Sequence, residues 1–229
     1  MNSPLKVLSS MATRELLVEL AKYCARDLSQ PLVTDAGGGV DVVKRVQAGE
    51  AVDIVVLASN AIDQLITEGK LQTGSRVDLV KSGIAIAVRR KNGGYDISSG
   101  DAVMKAVLAA RTLSYSTGPS GTYLQQLFER WGILQTIRHK IVVPPPGVPV
   151  GTLVANGECE LGFQQMSELI NLPGIDVLGL LPESIQSVTI FSGAVSSACA
   201  TREAGRRVLN YMASPAAAEL CRRYGMERP

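Results

Sequence analysis

Apolar and polar positions along this chain recur in one order: a short apolar run, a loop of small residues, then apolar residues at helical spacing. Leu5-Lys6-Val7-Leu8 is the first run. Behind it the spacing of Leu16, Leu17, Leu20, Ala21 and Cys24 predicts a helix. The order repeats with a strand at residues 31–34, the loop Asp35-Ala36-Gly37-Gly38-Gly39 and a helix over 40–48. A third round has Val52-Asp53-Ile54-Val55-Val56-Leu57, the near-continuous apolar run of a buried parallel strand. Ala58-Ser59-Asn60 opens its helix, carried by Ile62, Leu65 and Ile66. Three strand–loop–helix rounds predict an α/β fold with right-handed crossovers, its loops gathered at the carboxyl edge of the sheet.

Further along, residues 76–88 make one strand-like run, longer than an average strand and able to pass between two domains. A helix is predicted over 101–110, then an apolar run to Tyr115 and a helix through Leu124, Leu127, Phe128 and Trp131. Ile141-Val142-Val143 reads as a strand, and Pro144-Pro145-Pro146 as extended chain, because a following proline disfavours the α region. A helix starts at Val150 or Gly151, a strand and loop occupy 160–165, and a short helix opens at Met166. Residues 189–195 read as a returning strand, and 202–223 as a helix interrupted at Ser214-Pro215. Crossings near Ser82–Gly83 and Ser192–Gly193 divide the chain into a discontinuous α/β lobe (1–82 with 193–229) and a second α/β lobe (83–192). The ligand cleft is expected between them.

Composition narrows the function. The net charge is +2, from 23 basic and 21 acidic residues, and aromatic residues are only 4% of the chain. Nucleic-acid binding would call for a basic stripe with interleaved aromatics, and none is visible. The four cysteines (Cys24, Cys159, Cys199, Cys221) show no CxxC spacing, and His139 is the one histidine. A Cys/His metal site is not indicated and no cofactor is expected; Cys24 and Cys221 fall in helical patterns that suit core thiols. No apolar run reaches membrane-spanning length. Met1-Asn2-Ser3-Pro4 carries neither a basic nor an apolar leader segment, which predicts a cytoplasmic chain as written, or a periplasmic one if it is a trimmed mature form.

The densest candidate chemistry is Tyr115-Ser116-Thr117-Gly118-Pro119-Ser120-Gly121-Thr122-Tyr123. Hydroxyls of Ser116, Thr117 and Ser120 and the amides of Ser120 and Gly121 would converge on the positive end of a helix, which suits a small anion. Gly37, Gly38 and Gly39 let backbone approach a ligand closely. They match neither a dinucleotide fingerprint nor a P-loop. Ser10 or Thr13 is placed to cap the first helix. Arg14 and Lys44 read either as solvated helix charges or as clamps for a carboxylate, and His139 as a helix-end residue.

Several segments taken together resemble the molybdate-type solute-binding proteins of ABC transporters. These are Leu8-Ser9-Ser10-Met11-Ala12-Thr13, Gln47-Ala48-Gly49-Glu50 with Asp53-Ile54-Val55-Val56, Gly118 to Tyr123, Gly157-Glu158-Cys159-Glu160-Leu161-Gly162, and Ser214-Pro215-Ala216-Ala217-Ala218. The resemblance covers nearly the whole chain. It implies a type II periplasmic-binding-protein fold, two lobes closing on an anion by hinge motion, and an ABC permease as partner if the chain is exported. It also implies a ligand set of serines in the first two loops, amides in the third and fourth, and a tyrosine in the fifth. Here the first loop has Ser9 and Ser10 with Met11 beside them, and the second has Gly37, Gly38 and Gly39 where serines are expected. Ser59 opens the next helix; Ser120, Gly121 and Val148 offer amides, and Gln164-Gln165 replace the tyrosine. These departures point away from molybdate and toward a larger anion such as a di- or tricarboxylate. The same scaffold has an aconitate-isomerase-like branch, so two readings follow: a binding protein for a small anion, or an isomerase of an unsaturated polycarboxylate. The second requires a base, and the sequence displays none in a motif; a serine hydroxyl or Asp35 is conceivable.

Overall fold

The computed structural model describes residues 2–91, 94–145 and 147–229. Pro146, expected to be extended with its neighbours, lies outside the described residues. The chain forms two compact units, residues 1–82 with 189–229 and residues 83–188. The return boundary falls four residues before the one expected at 192/193.

The first unit runs β1 (Leu5–Ser10), α1 (Arg14–Leu28), β2 (Leu32–Gly37), α2 (Gly39–Gln47), β3 (Ile54–Ala58) and α3 (Ser59–Thr67). β4 (Val77–Arg89) then leads into the second unit. There follow α4 (Gly100–Ala109), β5 (Leu113–Tyr115), α5 (Pro119–Arg130), α6 (Leu134–Ile137), α7 (Val150–Asn156), β6 (Leu161–Gln165), α8 (Met166–Leu169) and β7 (Ile175–Leu180). β8 (Val188–Val195) returns to the first unit, which ends with α9 (Arg202–Met212) and α10 (Ala218–Arg223). A 3₁₀ turn at Pro215–Ala217 marks the break expected at Ser214-Pro215.

In the first unit β1 lies between β2 and β3, parallel to both, and β8 runs antiparallel to β3. Period-two alternation explains why these strands read as unbroken apolar runs. Val7, Ile54 and Val56 enter one core with Leu16, Leu20 and Val208, while Leu8, Val55 and Leu57 enter another with Val42, Ile62 and Leu65. Both faces are covered by helices, so neither can be polar. The second unit repeats the logic on β4. Ile84, Ile86 and Val88 join Phe128 and Phe163, and Ala85 and Ala87 join Val150, Val154 and Leu169. Its strands run β7-β4-β6-β5, with β5 and β6 parallel and β4 antiparallel to β6 and β7.

Three expectations are corrected. Ile141-Val142-Val143 is no strand, because only Ile141 bridges Leu113 and Val143 is exposed. The strand Ile175–Leu180 was not expected; it is flanked by Gly174 and Pro182, Gly179 lies at positive φ, and its pairing with β4 shifts register. β1 and β2 extend through residues read as loop, pairing as far as Ser10 with Gly37. Ladder hydrogen bonds are made by backbone and do not require apolar side chains.

Candidate functional site

The sequence-selected residues fall into two groups, one in each unit. In the first, β1 ends at Ser10 and the chain turns through a 3₁₀ segment, Met11–Thr13, into α1. Neither Ser10 nor Thr13 caps that helix with its side chain. Thr13 Oγ1 instead donates to the Ser10 carbonyl at 3.2 Å, and Ser9 Oγ to the carbonyls of Ser10 and Asp35 at 3.3 and 3.5 Å. Ser10 Oγ is buried and, among the described residues, has no hydrogen-bond partner. A buried hydroxyl left over when its neighbours are satisfied is a place where a ligand atom would fit. Met11 and Ser59, the latter at the start of α3, are partly exposed.

Glycines 37–39 do not form a loop. Gly37 ends β2, Gly38 precedes α2 and Gly39 begins it, all at ordinary φ. A methyl group added at Gly38 or Gly39 would meet nothing within 4 Å. Gly38→Ala and Gly39→Ala are therefore expected to hold stability within about 0.5 kcal/mol of the parent in urea unfolding. Loss of ligand affinity in such a variant would then report contact with the ligand.

Asp35, conceivable as a base, is a poor one. Its carboxylate pairs with Arg45 at 2.6 Å, and that guanidinium holds it below the usual carboxylate range. Arg14 and Lys44 are exposed, and among the described residues neither forms an ion pair. The thiols are no better placed: all four cysteines are free and buried, and burial pushes Cys24 up to about 11 and Cys159 up to about 12. His139 sits in a 3₁₀ turn at 138–140.

In the second unit the candidates gather at one sheet edge. β5 and β6 run parallel with Tyr115 opposite Phe163, so Ser116 and Gln164 emerge side by side at the carboxyl edge. The Ser116 and Ser120 hydroxyls lie 2.8 Å apart. Pro119 occupies the first turn of α5, and the first intrahelical bond from beyond it runs from Thr122 N–H to Gly118 O at 3.1 Å. The Ser120 and Gly121 N–H groups precede that bond and have no acceptor within the helix. Thr117 is exposed and Ser120 buried. Val148 does not offer its amide, which donates to Pro145 O at 3.0 Å in a tight turn.

Gln164 and Gln165 are both buried, at 3% and 4% exposure, so neither is a surface residue. Gln164 Oε1 accepts from Gly151 N–H at 3.4 Å, which turns its amide nitrogen toward Glu168, and Nε2 donates to Glu168 Oε1 at 2.8 Å. Burial pushes the Glu168 carboxyl up to about 7, against the opposing pull of that hydrogen bond. Beside it Ser167 Oγ is buried without a hydrogen-bond partner among the described residues. Sequence reading did not single out Glu168 or Ser167. The available signal was an acid four residues after Gln164, near the end of β6, and nothing in one dimension says that this acid is desolvated.

A family model described as bacterial extracellular solute-binding protein matches residues 5–227. An aconitate isomerase from a Pseudomonas species is 40% identical over 187 residues, covering 81% of this chain and 71% of that one. Among solved structures, the Azotobacter vinelandii periplasmic molybdate-binding protein superposes with a TM-score of 0.82 at 19% identity, covering 98% of this chain and 99% of its own. The substrate-binding domain of a putative molybdenum ABC transporter from Clostridium difficile gives a TM-score of 0.75 at 18% identity, with 99% of both chains covered. These two likenesses show the fold, a two-lobed α/β fold of the type II periplasmic-binding-protein kind. No helix among the described residues is long and apolar enough to cross a membrane.

Proposed function

We propose that this chain, which belongs to the bacterial extracellular solute-binding protein family, binds a small unsaturated polycarboxylate and interconverts its isomers, as an aconitate isomerase does. The observation that carries the reading is the donor set at the carboxyl edge of the second unit. The paired hydroxyls of Ser116 and Ser120 and the amides of Ser120 and Gly121 offer hydrogen bonds at the positive end of a twelve-residue helix. Such donors recognise carboxylate oxygens as well as oxyanions. What favours a carboxylate over molybdate is the 40% identity to an aconitate isomerase and the buried glutamines 164 and 165 at the end of β6. In the first unit, taken by itself, Ser9, Ser10, Met11, Gly37, Gly38, Gly39 and Ser59 are the candidate ligand-binding group we assign, with Ser10 Oγ as its open hydroxyl.

The second reading is capture without chemistry, which the fold of the molybdate-binding protein supports. On that reading an ABC permease would receive the ligand outside the cytoplasm.

One experiment separates the two. Purified protein is incubated with trans-aconitate, its ultraviolet absorbance is followed, and melting temperature is recorded with trans-aconitate, citrate and molybdate. Change in absorbance with catalytic protein supports the isomerase. A rise in melting temperature without turnover supports capture, since a ligand that binds only the native state stabilises it. A panel that neither reacts nor stabilises overturns both.

A further inference from the structure

We infer that Glu168 is the group that moves the proton in the isomerisation, with Gln164 as its positioning residue. This rests on the isomerase reading above. Within the second unit, Glu168 follows β6 at the same carboxyl edge where Ser116 leaves β5. Its carboxyl is anchored through one oxygen by Gln164 Nε2 at 2.8 Å, and the Gln164 amide is itself oriented by Gly151 N–H. Among the described residues no cation compensates its charge. α8 packs on β6, which carries no charged residue, and on β7, whose Asp176 accepts from Lys91 N–H and faces Arg90 at 3.7 Å. Leu169 of α8 joins Val150, Leu153 and Val154 of α7 in one apolar cluster, and α7 also lacks charged residues.

A partly buried, desolvated acid with one neutral hydrogen-bond donor and, among the described residues, no cation beside it is costly to keep for structure alone. Its burial brings it near neutrality, where a carboxyl is divided between both forms and can serve as base and then as acid. Asp35 shows the contrast, because its guanidinium partner keeps it ionised and weakly basic.

The step balances within an unsaturated tricarboxylate. Glu168 carboxylate removes one proton from the methylene carbon beside the double bond. The released C–H electron pair forms a new double bond to the central carbon, and the original double-bond pair is taken up by the conjugated carboxylate. Glu168 then returns the proton to the former vinyl carbon. One C–H bond breaks and one forms, the double bond moves by one carbon, and nothing is oxidised or reduced. The α5 amides and the Ser116–Ser120 hydroxyls would hydrogen-bond the carboxylate on which charge accumulates.

The test compares parent, Glu168→Gln, Glu168→Asp and Gln164→Ala proteins for trans-aconitate turnover and for the shift in melting temperature that the same ligand produces. Glu168→Gln is expected to lose at least about 100-fold in kcat while keeping the ligand-induced shift. Glu168→Asp, one methylene shorter, is expected to retain intermediate activity, and it decides the matter if the glutamine variant does not fold. Gln164→Ala removes a bond that favours ionisation, so the acid limb of its kcat/KM profile should move to higher pH, which a purely structural glutamine would not do. Parental turnover in Glu168→Gln, or in Glu168→Asp if that variant alone folds, overturns Glu168 and leaves the isomerase standing. Absence of turnover in the parent protein overturns the isomerase, and this inference with it.

Discussion

Gly121→Ala is expected to cost about 3–5 kcal/mol in urea unfolding, or to fold only with the entry to α5 displaced and anion binding lost. A Cβ at this position would lie 1.6 Å from the Ser116 carbonyl oxygen and 2.7 Å from its carbon. Both are backbone atoms, so no change of rotamer relieves the overlap, and the cost exceeds that of ordinary overpacking. Since Gly121 sits one turn into α5 against the strand exit, relief requires moving either Ser116 or the helix start. Either movement breaks the 2.8 Å contact between the Ser116 and Ser120 hydroxyls. The Gly38→Ala protein, whose new methyl group meets nothing within 4 Å, is the control for stability. Gly121→Ala with parental stability and parental ligand-induced melting shift would remove this turn from the proposed site.

The second large effect is a dependence of stability on pH. Desolvation raises the pKa of Glu168 in the folded state from 4.5 to about 7. Between those values the unfolded chain has released the proton and the native chain still holds it, so stability falls as pH rises through that window. The loss is complete above the folded-state value and has an upper bound of about 3 kcal/mol, from 1.36 kcal/mol per unit. Glu168→Gln removes this loss. Its stability relative to the parent is therefore expected to climb by about 2–3 kcal/mol from pH 4 to pH 8 and then level off. Subtraction matters because Asp27, held at about 2 by Arg26 and Tyr211, and other paired carboxylates weaken both proteins equally in acid. A difference between the two proteins that does not change with pH would show Glu168 to be ionised at its ordinary value.

Much of the fold is legible in one dimension, and the reason is local. The apolar runs at β1, β3, β4 and β8 and the helical spacings of α1, α5 and α9 each belong to contiguous residues, so periodicity reports them directly. The donor set of the stretch from Ser116 to Gly121, which we propose binds an anion, is equally local, because a helix start with small hydroxyl residues carries its donors wherever it is placed. β7 was hidden because it is short, half-buried, bracketed by Gly174 and Pro182, and bonded to a strand about ninety residues earlier.

The side chains at the carboxyl edges were decided by tertiary structure. Sequence named Ser9 and Val148 as ligand contacts and Thr13 as a helix cap. Packing spends their hydrogen bonds on backbone carbonyls and leaves Ser10 Oγ unpartnered. It also takes Gln164 into the interior and sets Glu168 against it without a cation. The sequence by itself determined a two-part α/β scaffold and a hydroxyl-rich helix start, because both follow from the order of neighbouring residues. Only the tertiary structure decided which polar groups remain unpaired and which acid is pushed up toward the neutral range. Burial and pairing depend on residues that meet across strands, and no pattern along the chain records them.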